Sequence, residues 1–315
     1  MANKIMYFFA ASLVLGAGCK APDATDLPQQ LKIVCTTGMI ADAVANIAGA
    51  EASVTALMGP GVDPHLYKAS QGDLQLLSQA DLIFYNGLHL EGKMSEILEK
   101  IGRTRPVIAV SDGISEDRLL KLANVGDAHD PHIWFDVALW SKAVAHIGAS
   151  LERQDTAHAD GYRARTAGYL DSLLQLDDWV RGQLASIPPE QRVLITAHDA
   201  FSYFGRAYGV EVRGLQGIST VSEYGLKDVS DLVEFISGRR INAVFVESSV
   251  PVKSLEAVVE GCQKRGHQVR IGGMLYSDAM GAAGAPEGAY LGMVRANVRT
   301  IVHALKGMDH AEDSH

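Results

Sequence analysis

The chain has 315 residues, with 28 Lys+Arg against 37 Asp+Glu for a formal net charge of −9, and 47% hydrophobic and 21% charged residues, an ordinary globular balance. The acidic surplus, with no basic cluster to offset it, argues against a nucleic-acid partner. Three cysteines, Cys19, Cys35 and Cys262, are too few and too scattered for a disulfide framework or a thiolate zinc finger, so any metal must rest on histidine and carboxylate.

The chain opens with Lys4, an apolar run over residues 5–15 and then Gly16-Ala17-Gly18-Cys19. This order reads as an n-region, an h-region too short to span a bilayer and a small-residue cleavage zone, which predicts a secretory signal over residues 1–18. A thiol directly after small residues resembles a bacterial lipobox, with Leu15 one residue further from the cysteine than is usual. The resemblance implies that Cys19 is acylated and becomes the first mature residue. Ordinary signal cleavage nearby is the alternative. Both place the protein outside the cytoplasm, in the periplasm or on the outer face of the plasma membrane. Residues 19–30 read as a polar tether. No later stretch is apolar enough to cross a membrane, so any membrane attachment would be through a lipid anchor.

From there the pattern is rhythmic. Short β-branched or apolar runs at 31–36, 52–58, 81–87 and 105–110 alternate with helical patterns and predict a first α/β lobe over residues 31–158. Runs at 192–197, 210–216, 243–248 and 268–273, with helices over 229–237 and 252–265, predict a second lobe over residues 188–315. Near-continuous apolar strands separated by helices imply mainly parallel four-stranded sheets covered on both faces. Between the lobes, Tyr162, Tyr169, Leu173, Leu176, Val180 and Leu184 recur at three- and four-residue steps until Pro188-Pro189. They predict one long linking helix over residues 159–187, about 42 Å of rod at 1.5 Å per residue, which restricts lobe motion.

In open α/β sheets a ligand sits beyond the carboxyl ends of the strands. Chemistry-bearing residues collect there. Asp-Pro-His occurs twice, at Asp63-Pro64-His65 after the second run and at Asp130-Pro131-His132 after the fourth. Proline fixes its own φ and holds the preceding residue extended, so each imidazole is presented from a stiff peptide. In the second lobe His198-Asp199 follows the first run and Ser277-Asp278 follows the fourth. His65, His132, His198 and Asp278 could close a four-coordinate shell in the interlobe cleft. Asp63, Asp130 and Asp199 could accept from the imidazoles or cap turns and helix starts. Tyr67, Trp134, Phe135 and Phe201 could form an apolar shell around the site or serve ordinary packing.

The strings GVDPHLY, DPHIWFD, TAHDAF and YSDAMG, in that order, resemble the metal-binding solute-binding proteins of bacterial zinc and manganese ABC importers, the cluster A-I family. The resemblance covers nearly the whole mature chain. It implies two α/β lobes bridged by one long helix, metal in the cleft, and His65, His132, His198 and Asp278 as ligands. It further implies a protein that performs no chemistry, capturing Zn²⁺ or Mn²⁺ as cargo and delivering it to an ABC permease driven by its ATPase. A monomer is expected.

Three nitrogens and one oxygen suit zinc, while manganese favours more oxygen donors. Manganese-selective members of the family commonly carry Glu where this chain has His198. Zinc-selective members often add a His-rich loop, of which only His129 stands in residues 124–131 here. The chain thus resembles a mixed zinc/manganese branch. His303, His310 and His315 read as part of a solvated C-terminal tail. The rival functions are a secreted zinc-dependent hydrolase and a metal-stabilised adhesin or scaffold lipoprotein. No HExxH, GxSxG or Walker A string supports the first. Ligand gaps of 66 to 80 residues argue against the second, because structural zinc is usually held by locally spaced ligands.

Overall fold

The structure, a computed structural model, describes residues 30–122 and 126–307. The predicted signal 1–18, Cys19, the tether up to residue 29, Asn124, His310 and His315 lie outside the described residues.

The first lobe runs β1 (Leu31–Cys35), α1 (Gly38–Ala48), β2 (Ala52–Ala56), α2 (Gln71–Gln79), β3 (Leu82–Tyr85), α3 (Ser95–Gly102), β4 (Val107–Ala109) and α4 (Val137–Gln154). The long α5 (Ala159–Ala185) leads to β5 (Val193–His198), α6 (Ser202–Tyr208), β6 (Glu211–Gln216), α7 (Leu226–Arg239), β7 (Ala243–Glu247), α8 (Lys253–Lys264), β8 (Arg270–Leu275) and α9 (Tyr290–Leu305). The two four-stranded sheets have the same order, β2-β1-β3-β4 and β6-β5-β7-β8. Every strand pair in them is parallel. Central strands such as β5 and β7 are buried at every position, as strands covered by helices on both faces must be. The order reverses between β1 and β3 and again between β5 and β7. Each reversal leaves a crevice at the carboxyl edge of its sheet.

Three packed clusters hold this arrangement. The largest runs from Ile33 and Trp140 through Leu173 and Leu176 of α5 to Leu194, Phe245 and Val298. The lobes therefore share one inner core. Smaller clusters fill the outer faces, around Leu77, Ile83 and Leu98 in the first lobe and Leu232, Val244 and Leu255 in the second.

Helix α5 stops just short of Ile187 and Pro188, and buries Tyr162, Tyr169, Leu173, Leu176, Val180 and Leu184. Its Arg165 donates from Nε to Ile47 O at 2.5 Å and from Nη2 to Ala48 O at 3.0 Å, satisfying carbonyls left open at the end of α1. Tyr169 donates to Asp42 Oδ2 at 2.8 Å, and the Tyr290 N–H reaches the same oxygen at 3.2 Å. One carboxylate thus ties α1, α5 and α9 together, so the bridge is fastened to both lobes along its length.

Some boundaries differ from the sequence expectation. β4 is only three residues, because Pro106 cannot donate to the ladder and a 3₁₀ turn begins at Val110. β8 begins two residues later than expected, at Arg270, where it meets Ala243 of β7, and its register shifts between Val244 and Phe245. His303 belongs to α9 and is half-buried, not part of a solvated tail. Among the described residues no helix is long and apolar enough to cross a membrane.

Candidate metal centre

Each of the four candidate side chains is positioned by its own local device. In both Asp-Pro-His triplets the aspartate Oδ1 accepts the histidine backbone N–H two residues on, at 2.8 Å for Asp63–His65 and 2.9 Å for Asp130–His132. The side chain closes the turn that the proline stiffens. His198 is the last residue of β5 itself, paired with Gln216 of β6. At Gly214 a Cβ would come within 2.6 Å of the His198 carbonyl carbon, so β6 must carry glycine there to let the strand that ends in His198 lie flush. Asp278 follows β8 in a loop clamped by Asn297, whose side chain accepts from Tyr276 N at 2.8 Å and donates to Tyr276 O at 2.7 Å. Across the cleft, Trp134 Nε1 donates to Ser277 O at 3.0 Å.

The four side chains converge. His65, His132, His198 and Asp278 each offer one donor atom, all within 4.8 Å of one another, and the residues are 4%, 0%, 0% and 2% exposed. Nε2 of His65 and of His132 are 3.2 Å apart. Asp278 Oδ2 lies 3.3 Å from His198 Nε2 and 4.0 Å from His65 Nε2, and its Oδ1 lies 3.5 Å from His132 Nε2. Bonds of about 2.0–2.1 Å meeting at the tetrahedral angle put donor atoms about 3.3 Å apart. The shorter separations match that edge and all four donor atoms lie within 4.8 Å of one another, so the donor set could take a four-coordinate divalent ion after a small contraction.

The electrostatics are those of a cation site. Both Asp278 oxygens are buried and lack a donor among the described residues unless His198 Nε2 carries a proton. Burial would push this carboxyl up, but the neighbouring His198, with His132 and His65, holds it well below the usual range. Burial also opposes a charge on His198, yet Asp278 and Glu247 outweigh it and raise the imidazole well above its ordinary value. His65 goes the other way, pushed down to about 3 chiefly by burial, against the pull of Asp278. The shifts thus favour a charged imidazole at His198, an ionised carboxylate at Asp278 and a neutral imidazole at His65.

The supporting carboxylates were only partly visible in the sequence. Asp130 accepts from His132 Nδ1 at 2.7 Å, which turns Nε2 toward the centre. Asp63 instead bridges the lobes, accepting from Thr220 Oγ1 at 2.5 Å, and Asp199 accepts from Ser202 Oγ at 2.9 Å at the start of α6. The group facing His198 Nδ1 is Glu247, at 2.5 Å. Its one sequence signal is a carboxylate closing the otherwise apolar run AVFVE. Asn86 and Glu91 carry no sequence signal of a role at the centre. Asn86 donates to Pro131 O at 3.0 Å and to Glu91 from its backbone at 2.7 Å, while Glu91 also accepts from Thr36 at 2.6 Å. Together they fix the peptide ahead of His132. Trp134 packs edge-on to His132 at 5.3 Å, whereas Phe135 and Phe201 stack on each other at 4.2 Å within the core. Tyr67 turns away, donating to Asp73 at 2.7 Å.

A cleft of about 930 Å³, lined by Leu88, His129, Asp130, Asp199 and Ile218 among others, opens onto the centre; of the four donors, His65 alone lines it.

A family model described as zinc-uptake complex component A, periplasmic, matches residues 33–304. The chain is 51% identical over 298 residues to the manganese-binding lipoprotein MntA of Bacillus subtilis, covering 95% of this chain and 97% of that one. It is also 51% identical over 273 residues to the zinc-binding protein TroA of Treponema pallidum, covering 87% and 88%. The solved structure of the Treponema pallidum periplasmic zinc-binding protein TroA superposes with a TM-score of 0.86, over 88% of this chain and 99% of that one.

Proposed function

The chain belongs to the periplasmic zinc-uptake complex component A family, and on that premise we propose that His65, His132, His198 and Asp278 together hold one divalent transition-metal ion as cargo. A member of this family is the substrate-binding component of a metal ABC importer and not an enzyme; it works with a membrane permease and its ATPase. The observation that carries the assignment of ligands is the convergence of four buried donor atoms within 4.8 Å. They come from loops and strands of both lobes, so an ion bound by all four would join the two halves.

Zinc is the cargo we favour, because three imidazoles and one carboxylate suit it and a closed tetrahedral shell leaves no position for water. Manganese is the second cargo, supported by a manganese-binding relative and a zinc-binding relative of equal identity. The same proposal includes export by residues 1–18, acylation of Cys19, a tether over 19–30, lobes over 31–158 and 188–315 joined by residues 159–187, and a monomeric body acting outside the cytoplasm. Thermal unfolding of a chain beginning at residue 20 tests the binding role. Zinc at a hundred times its Kd should stabilise the fold by about 2.7 kcal/mol if the unfolded chain binds none. An unchanged midpoint at saturating zinc would refute it.

A further inference from the structure

Glu247 ends β7, is buried, and directs both of its oxygens at a single residue. Oε1 accepts the backbone N–H of His198 at 2.8 Å, and Oε2 lies 2.5 Å from His198 Nδ1. At that separation two bare lone pairs would repel, and the neutral tautomer that relieves the contact carries its proton on Nδ1. We propose that Glu247 is the positioning residue that makes His198 a ligand: it fixes the proton on Nδ1 and so turns the Nε2 lone pair toward the ion. The proposal rests on the reading of His198 as a ligand given above.

The pairing demands a carboxylate. Both groups facing Glu247 are donors, and a carboxylate is the side chain that accepts twice from one end. Glutamine has the same shape but offers one acceptor and one donor. If its oxygen takes the backbone N–H, its amide faces Nδ1, which must then accept; the neutral ring carries its proton on Nε2, pointing into the metal centre. If the amide is flipped, it opposes the backbone N–H of the strand that carries the ligand. Neither arrangement restores what Glu247 provides. His132 has a carboxylate in the same place in Asp130, at 2.7 Å, but that carboxylate sits two residues away in its own turn. The carboxylate next to His198 in sequence, Asp199, accepts from Ser202 instead, and His198 takes its partner from the adjacent strand.

The experiment compares zinc affinity, by competition with a chromophoric chelator, for the parent, Glu247→Gln, His198→Ala and Asp177→Asn. The last alters another buried carboxylate, on α5, which accepts from Tyr208 at 2.7 Å and pairs with Arg181 and is not one of the groups converging on the centre. Glu247→Gln should lose about 10–100-fold in affinity, the usual effect of removing a carboxylate behind a metal-bound imidazole, and Asp177→Asn should stay within about twofold of the parent. Bound cobalt should lose the intense visible bands of a four-coordinate site in Glu247→Gln, which a merely structural role would leave in place. Parent-like affinity in Glu247→Gln with binding lost in His198→Ala overturns the role of Glu247 and leaves the ligand set standing. Parent-like affinity in His198→Ala overturns both. Should Glu247→Gln fail to fold, ¹⁵N NMR of the zinc-loaded parent decides: a protonated Nδ1 and metal-bound Nε2 in His198 support the proposal, and the reverse overturns it.

Discussion

The two lobes are built alike and contribute differently. Each has a parallel sheet with the same strand order, and each brings two donors to the centre from its carboxyl edge. The first lobe supplies two imidazoles, both set in Asp-Pro-His turns that the chain closes locally. The second supplies an imidazole at the end of a central strand and the carboxylate of Asp278, and both depend on distant partners, Glu247 for one and Asn297 for the other. The first lobe thus offers prefabricated imidazole donors, and the second brings the carboxylate. An ion that needs both is held only while the halves remain together.

Breaking the charged side should cost most. Asp278→Asn removes the one anionic donor and leaves the raised His198 without its main partner; losing one member of a buried charge pair costs about 3–5 kcal/mol, so zinc affinity should fall more than about a hundredfold. Isothermal titration would show it. A loss under tenfold would mean that the second lobe does not carry the charge as described.

The lobes should also differ in how protons compete with the ion. His65 is pushed down to about 3 and is neutral across the physiological range, so it gives up no proton on binding. His198 is raised, and its metal-free form holds a proton that the ion must displace. The sign follows: affinity rises with pH through neutrality and falls on acidification, by about tenfold per pH unit while one proton competes. Titrations at pH 6, 7 and 8 in buffers of different ionisation enthalpy would count the protons released. A flat profile with none released contradicts the assignment.

The smallest expected effect lies at the seam. Thr220 of the second lobe donates to Asp63 of the first at 2.5 Å, two residues from His65. Thr220→Val should remove about 1 kcal/mol and speed zinc release about fivefold, with little change in thermal stability of the metal-free protein. Stopped-flow chelation would measure it, and an unchanged release rate would show that this bond does not help to keep the lobes together.

The same contrast explains what could be read from the sequence. The strands were legible because burial on both faces makes them continuous apolar runs, and α5 because its buried positions recur at helical steps up to Pro188. Ends were less legible: β4 is cut short by Pro106, and β8 takes its limits from its pairing with β7, which no local signal records. The donors of the first lobe stood out because the repeated triplet is a local motif, and Asp130 was visible beside His132 for the same reason. Glu247 is 49 residues from His198. Only the adjacency of β5 and β7 brings the two together, so a carboxylate that looks like an ordinary strand ending becomes part of the centre.

The most direct measurement is an anomalous-diffraction map of the zinc-loaded protein, collected on both sides of the zinc absorption edge. A single strong peak should lie between Nε2 of His65, His132 and His198 and a carboxylate oxygen of Asp278, about 2.0–2.2 Å from each. A peak elsewhere, or one that leaves out a donor from either lobe, would contradict the claim that one ion is shared by the two halves.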